Sequence, residues 1–343
     1  MAVQDLTPAA VGPPAERSAG QRLREALGSD WGRFLGSKLV TLVVSFAFLV
    51  IVTFLIVQMI PGDPARAVAG QEATLEQVEE TRHQLGLDRP IWEQFSRYLG
   101  DIFDGTLGDS FRTGTVSEMI LVRLPFTLGV AIAAILITLL VSIPLGLVVA
   151  VATRGGRRPT LSLVFSWVTA IVDAVPVYVR ACILVLVFAL WLKLLPAGGA
   201  QEQSSYVLPI AALAVGPICS VARVVRREAE TVLEADYVRT LRGWRLPPWK
   251  IHLKYVLPSL LTSTLTMSGL MLTGMIGGAL VMETVFAWPG LGIGVVQAIL
   301  VKDFPMVQGS ILVLGMMAVT INLLVDVFLA VVDPKMLREG KSQ

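Results

Sequence analysis

Long uncharged apolar runs constrain this chain more than any other feature. Leu39–Ile60 runs 22 residues without a charge, Phe126–Ala152 runs 27 and Leu257–Met282 runs 26. About 20 apolar residues are enough to cross a bilayer as a helix, and lipid leaves a spanning backbone only helices or closed barrels. Two further runs fit: 206–223, uncharged over Val207–Ala222, and Val307–Val332, which carries one carboxylate, Asp326. A sixth segment, Leu161–Lys193, is 33 residues long and holds Asp173, Pro176 and Arg180. It reads as one tilted or kinked crossing broken at Pro176, because no Gly/Asn cluster supplies a turn between two crossings. The expected fold class is therefore all-α: a polytopic membrane protein with six transmembrane helices, at about 39–60, 126–152, 161–193, 206–223, 257–282 and 307–332. Only 16% of the residues are charged, against about 25% in soluble domains.

Six spans place both termini on one side, and basic residues say which. With the N-terminus inside, the inside segments are the 1–38 tail, Arg154–Arg158, the 223–256 loop and the C-terminal tail. Together these hold 19 of the 28 Lys and Arg residues. The expected orientation is N-in, C-in, with an extracytoplasmic loop at 61–125 and a short cytoplasmic tail at 338–343. The first run exceeds a signal-peptide core and ends in Pro61-Gly62-Asp63-Pro64, so it reads as a retained anchor. The tail before it is rich in Ala, Pro and Gly up to about Gly20 and is expected to be partly disordered.

Several chemistries are missing from the sequence. Gly340-Lys341-Ser342 lacks the earlier glycine of a phosphate loop. Cys182, Cys219, His83 and His252 show no metal-ligand spacing. The chain alone reads as non-catalytic, with no cofactor or metal of its own.

The largest inside loop, 223–256, has helix-favouring composition from Arg226 to about Trp244, ends at Pro247-Pro248 and returns to the membrane at Leu257-Pro258. Val238 and Leu241 share a face near Val232. Two readings stand: a helix anchored on the membrane surface, or a docking helix, since Tyr, Arg and Trp make interface hot spots.

The stretch Glu234-Ala235-Asp236-Tyr237-Val238-Arg239-Thr240-Leu241-Arg242, with Gly243 after it, resembles the EAA loop of ABC-importer permeases. Ile60-Pro61-Gly62-Asp63-Pro64, Leu85–Pro90, Gly105–Phe111, Glu283–Gly292, Lys302–Pro305, Asn322…Asp326 and Asp333-Pro334-Lys335 extend the resemblance over residues 39–337. That ordered set is similar to the B-type permease of the dipeptide/oligopeptide/nickel importers. In one departure, Arg245 stands where the family has glycine.

The resemblance implies a type I ABC-importer permease fold in the bacterial inner membrane. It also implies that Glu234–Gly243 is a coupling helix docking on a cytoplasmic ATPase, with Val238 and Leu241 giving the apolar contact and Asp236, Arg239 and Arg242 the register. The implied partners are a C-type permease as heterodimer, two ATPase subunits that bind ATP and Mg, an extracytoplasmic binding protein and the lipid bilayer, with no nucleic acid. The cargo would be a peptide or related small solute. A gradient-driven transporter or channel subunit, and a membrane scaffold without a transport path, are the competing classes; the first would favour an internal repeat, and none is evident between 39–193 and 206–332.

Ionisable groups inside spans cost several kcal/mol unless paired or hydrated. Asp173 and Arg180, seven apart, are expected on one face flanking Pro176, near enough to interact, either on the substrate pathway or as a structural pair. Asn322 and Asp326, four apart, are expected to fix helix packing rather than touch substrate. Glu283 is expected at the outer mouth, before a Gly/Pro run that suggests a lipped or re-entrant element. Gly269, Gly274, Gly277 and Gly278 read as a small-residue packing face for a partner permease. In the outer loop, Ile91, Trp92, Phe95, Tyr98, Leu99 and Phe103 recur at helical spacing, predicting a helix over 89–103 that meets the binding protein.

Overall fold

The computed structural model describes residues 19–332 apart from positions 71 and 113, and omits the side chains at 19–30, at 329, at 332 and at several positions between 262 and 276. Residues 1–18 of the expected tail, Gly269's packing, and everything from Asp333 onward lie outside this description.

The first helix, α1, spans Ala19–Met59, starting twenty residues before the apolar run. After α1 come three short helices, α2 (Pro64–Ala69), α3 (Leu75–Leu85) and α4 (Ile91–Phe103), and a small hairpin, β1 (Asp109–Ser110) with β2 (Gly114–Thr115). Then follow α5 (Val116–Thr153), α6 (Pro159–Ala174) and α7 (Val177–Leu184), which continues as a π-helical segment to Trp191. The chain ends with α8 (Val207–Glu234), α9 (Asp236–Gly243), α10 (Pro248–Ile251), α11 (Leu257–Val285), α12 (Leu291–Val301) and α13 (Phe304–Val332). Among the described residues, four helices are long and apolar enough to cross a membrane, or five if α6 and α7 form one broken span. The fifth apolar run of the sequence coincides with α11.

Small side chains set how closely the bundle packs. Helices in lipid gain little from apolar burial and associate through close contact instead. On α8, Ala212, Ala214, Ala222 and Ala229 are buried, facing Ala134, Gly146 and Ala150 of α5. A Cβ at Gly146 would lie 2.6 Å from the Ala222 carbonyl oxygen, so this crossing needs glycine. Helices α1 and α13 run antiparallel: Lys38 meets Asp326, and Leu49 lies against Gly315.

Between α6 and α7 the chain turns through 97°. Val175, just before Pro176, is extended (φ −72°, ψ 121°), as the residue ahead of a proline prefers. The break falls where the sequence places it, but the turn is far sharper than a kink.

In the 61–125 loop the expected helix exists as α4, and it seats on α1. Tyr98 is buried, shares a 2.8 Å hydrogen bond with Thr53 and stacks on Phe54, while Phe95 meets Phe54 edge-on. Three of the six periodic residues, Phe95, Tyr98 and Leu99, join this cluster; Ile91, Trp92 and Phe103 stay exposed. The span-end and loop motifs converge here. Asp63 caps α2 and pairs with Arg82 at 2.7 Å, and Asp303 accepts from the Ser110 hydroxyl and, at 3.2 Å, from the Phe111 amide. The loop is thus sewn to the α12–α13 link.

Candidate functional site

Glu283, near the end of α11, is fully buried. Its Oε2 accepts from the amides of Gly292 (2.6 Å) and Ile293 (3.2 Å), and its Oε1 from the Thr127 hydroxyl of α5 (2.6 Å). Both amides belong to the first turn of α12, where N–H groups have no partner within the helix and a negative charge is favoured. The same Thr127 oxygen accepts from the Leu291 amide at 2.9 Å. Trp288, also fully buried, packs edge-on against Tyr206 and Phe126 and donates its indole N–H to the Phe126 carbonyl at 3.3 Å. A Cβ on Gly290 would strike the Glu283 carboxylate, and one on Gly292 would lie 2.7 Å from Leu280 Cα. The Gly/Pro run is therefore a lip folded onto a carboxylate. At 11 residues α12 is about 16 Å long, too short to cross a bilayer.

Deeper in the bundle, Asp173 makes no direct ion pair with Arg180 among the described residues, although its charge reaches that guanidinium. The 97° turn ends the helix that would have carried both on one face. Instead Asp173 Oδ2 accepts from Arg223 Nη2 (2.7 Å) and the Ser220 hydroxyl (2.6 Å), both on α8. The guanidinium of Arg180 lies against Gly216, whose missing side chain makes the room, and its Nε and Nη1 are buried without a partner, as is Arg223 Nη1. Two guanidinium groups and one carboxylate thus share this part of the bundle. Sequence spacing missed Arg223 and Ser220, although an intramembrane carboxylate needs donors and both residues sit on the next span. The expected packing role of Asp326 has a concrete form, an ion pair with Lys38 at 2.6 Å. Asn322 lies one turn away on α13 and has an interaction partner of its own.

At the other end, the expected helix from Arg226 to Trp244 is split. Transmembrane helix α8 continues to Glu234, the chain extends at Ala235 (φ −60°, ψ 147°), and α9 starts at Asp236. Val238 is 0% exposed and Leu241 is buried with it, both packed on Leu233 of α8, Ile251 of α10 and Leu260 of α11. This corrects the expectation that they face a partner: their own chain covers them. The outward face carries Glu234, Asp236, Tyr237 (45% exposed), Arg239, Thr240, Gly243 and Trp244 (70% exposed). Arg239 and Asp236 approach to only 3.5 Å on this open surface, while Arg242 turns back to the Leu233 carbonyl at 3.4 Å. Arg245 takes φ +57°, the left-handed backbone that glycine favours. The turn is thus glycine-like without the glycine.

Two cavities open beside these groups. One, about 750 Å³, lies under the 61–125 loop among Asp63, Arg82, Arg97, Tyr98 and Asp101; burial raises the Asp101 carboxyl, with Arg97 opposing and the Asp109 and Asp104 charges adding to it. The other, about 590 Å³, lies between the α5–α6 turn and α9–α10.

Comparison with known proteins follows the same outline. Residues 142–338 match the family described as binding-protein-dependent transport system inner membrane component, and residues 32–131 match the N-terminal model of such membrane components. A probable D,D-dipeptide transport system permease protein of Escherichia coli K12 is 36% identical over 329 residues, covering 87% of this chain and 96% of that protein. A putative peptide transport system permease protein of Brucella suis is 36% identical, covering 83% and 92%. A glutathione transport system permease protein of Escherichia coli K12 is 32% identical, covering 87% and 96%. Among solved structures, inward-facing MetNI methionine ABC transporter superposes with a TM-score of 0.50 at 18% identity, covering 63% of this chain and 96% of that one.

Proposed function

We infer the function of this chain from one premise: it belongs to the family of binding-protein-dependent transport system inner membrane components, and is a multi-pass permease subunit of an ABC importer. Its cargo, we propose, is a short peptide or a peptide-like solute, in keeping with what the relatives' names say of them. In this reading the chain spans the membrane six times, N-in and C-in, over residues 39–337. It forms half of the pathway with a C-type permease, takes cargo from a binding protein at the 61–125 loop, and binds neither ATP nor Mg itself. Two ATPase subunits supply hydrolysis. Gly274 and Gly277 on α11 have nothing within 4 Å of an added Cβ, which suits close approach by the partner permease. Arg180, with buried N–H groups unpartnered, is the group we place on the pathway, whereas Asp173 pins α6 to α8.

The observation that carries the reading is the two-sidedness of α9. Its inner face is locked into α8, α10 and α11, so a push on it moves spans, and its outer face offers Tyr237 and Trp244 to a cytoplasmic partner. Aromatic side chains at such positions supply much of an interface's binding energy. The test is Tyr237→Ala/Trp244→Ala in the co-expressed complex. ATPase subunits should no longer co-purify and transport should fall to background, with membrane insertion unchanged. Transport near the wild-type rate would refute the docking face.

A further inference from the structure

The geometry points to the 590 Å³ cavity between the α5–α6 turn and α9–α10 as a binding site for the phosphate-bearing headgroup of an anionic phospholipid. It is lined by Arg154, Arg157, Arg242 and His252, with Val151 and Ile251 on its apolar side and no carboxylate among its lining residues. Its volume lies in the range of pockets that hold whole small ligands.

Four observations support this. First, Gly155 and Gly156 both take positive φ (65° and 76°), folding the turn tightly and presenting Arg154 and Arg157 at one rim. Neither guanidinium has an ion-pair partner among the described residues. The nearby acid, Glu230, is already held by Arg226 at 2.9 Å and accepts weakly from Thr153 at 3.4 Å, and Glu234 faces out. Second, Arg242 from α9 completes the opposite rim. Third, the His252 imidazole is held below its usual pKa by burial and, next, by the Arg154 charge, which therefore reaches into the cavity. Fourth, the site is at interfacial depth: the apolar run of α5 ends at Ala152, α11 begins at Leu257, and Trp249 and Leu253 lie exposed one helical turn apart. Tryptophan at such a level is a membrane-interface signature, and basic pockets at the cytoplasmic ends of helices bind anionic headgroups. An acidic surface of an ATPase subunit could also meet these arginines. The concavity and the apolar wall of Val151 and Ile251, continuous with the spans, favour a lipid. The site rests on the N-in orientation proposed above.

The test is native mass spectrometry of the purified complex titrated with phosphatidylglycerol or phosphatidylethanolamine. The wild type should retain phosphatidylglycerol selectively. Arg154→Gln/Arg157→Gln, which leaves α9 intact, should bind it roughly thirtyfold more weakly, about fivefold per arginine, and adding Arg242→Gln should weaken it further. Arg227→Gln, outside the cavity, should bind as the wild type does. Unchanged selectivity in the double variant would overturn the site. Displacement of the lipid by millimolar inorganic phosphate would assign the cavity to a soluble anion instead. Retained lipid with lost ATPase co-purification would assign the arginines to a protein interface. Thr160→Cys, in a background with Cys182→Ser and Cys219→Ser, checks the premise separately: labelling from outside the cell would overturn the orientation whatever the lipid result.

Discussion

The two ends of this bundle use polar and aromatic side chains in opposite ways. At the α12 end Glu283 is buried and receives three hydrogen bonds from its own chain, and Trp288 is buried with its N–H paired. At the opposite end α9 buries Val238 and Leu241 and leaves Tyr237 and Trp244 uncovered. A carboxyl group that its own chain satisfies serves to build the fold. Large aromatic surface on an element anchored from behind is kept for something else. The difference separates residues whose loss unfolds the protein from residues whose loss disconnects it.

Glu283→Ala should be the most damaging change. It strips the acceptor from two amides of α12 and from Thr127 in a dry setting, and each buried donor left unsatisfied costs about 1–3 kcal/mol. Folded yield and unfolding temperature should both drop sharply. Glu283→Gln, which keeps one accepting oxygen, should lose less. If Glu283→Ala instead folds and unfolds like the wild type but does not transport, this carboxyl group belongs to the pathway and the contrast between the ends fails.

Next in size is Val238→Asp. With this side chain fully covered by its own chain, an aspartate there would be a buried unpaired charge, worth several kcal/mol, and α9 should come off α8 and α11. Limited trypsin digestion reads this directly. Cleavage at Arg239 and Arg242 should be rapid in Val238→Asp and no faster than wild type in Tyr237→Ala. Equal protection of both variants would mean that the inner face of α9 contributes little, and would move the docking surface back to Val238 and Leu241.

The long apolar helices were legible because an extended uncharged run has few physical alternatives, and the α6–α7 break because a proline restricts the residue before it. Helix α4 was legible from its period, though period could not say that only Phe95, Tyr98 and Leu99 would find a neighbour. Asp173 and Arg180 stay within electrostatic reach of each other but form no direct ion pair, for a specific reason: spacing of seven implies one face only on a continuous helix, and a 97° turn intervenes. Arg223, fifty residues away, was beyond any local rule. Val238 and Leu241 were rightly placed on one face, but a pattern cannot tell whether its own chain or a partner covers that face. Lys38 was counted as a tail residue by charge, and only the antiparallel run of α1 on α13 brings it to Asp326.

The smallest effect sharpens the contrast most finely, because it concerns backbone alone. Arg245 holds φ +57°, and a side chain in the left-handed region costs about 1–2 kcal/mol. Its own side chain is exposed, so replacement gives up no buried contact. Glycine would relieve that strain, yet it also loses more chain entropy on folding than any other residue. The two effects leave a net gain of about 1 kcal/mol at most for Arg245→Gly. Two positions earlier, Gly243 closes α9 with open space around a would-be Cβ, and Gly243→Ala should gain about 0.5–1 kcal/mol from helix propensity. The two positions lie in one turn, so the double variant's shift in unfolding temperature measures their coupling rather than a simple sum. At the α12 end the same kind of change must go the other way. Gly292→Ala would bring a Cβ within 2.7 Å of Leu280 Cα, and such overpacking costs about 1–3 kcal/mol. A destabilised Arg245→Gly would show that the guanidinium holds the turn through a contact of its own, and would place Arg245 with the fold-building residues of the α12 end.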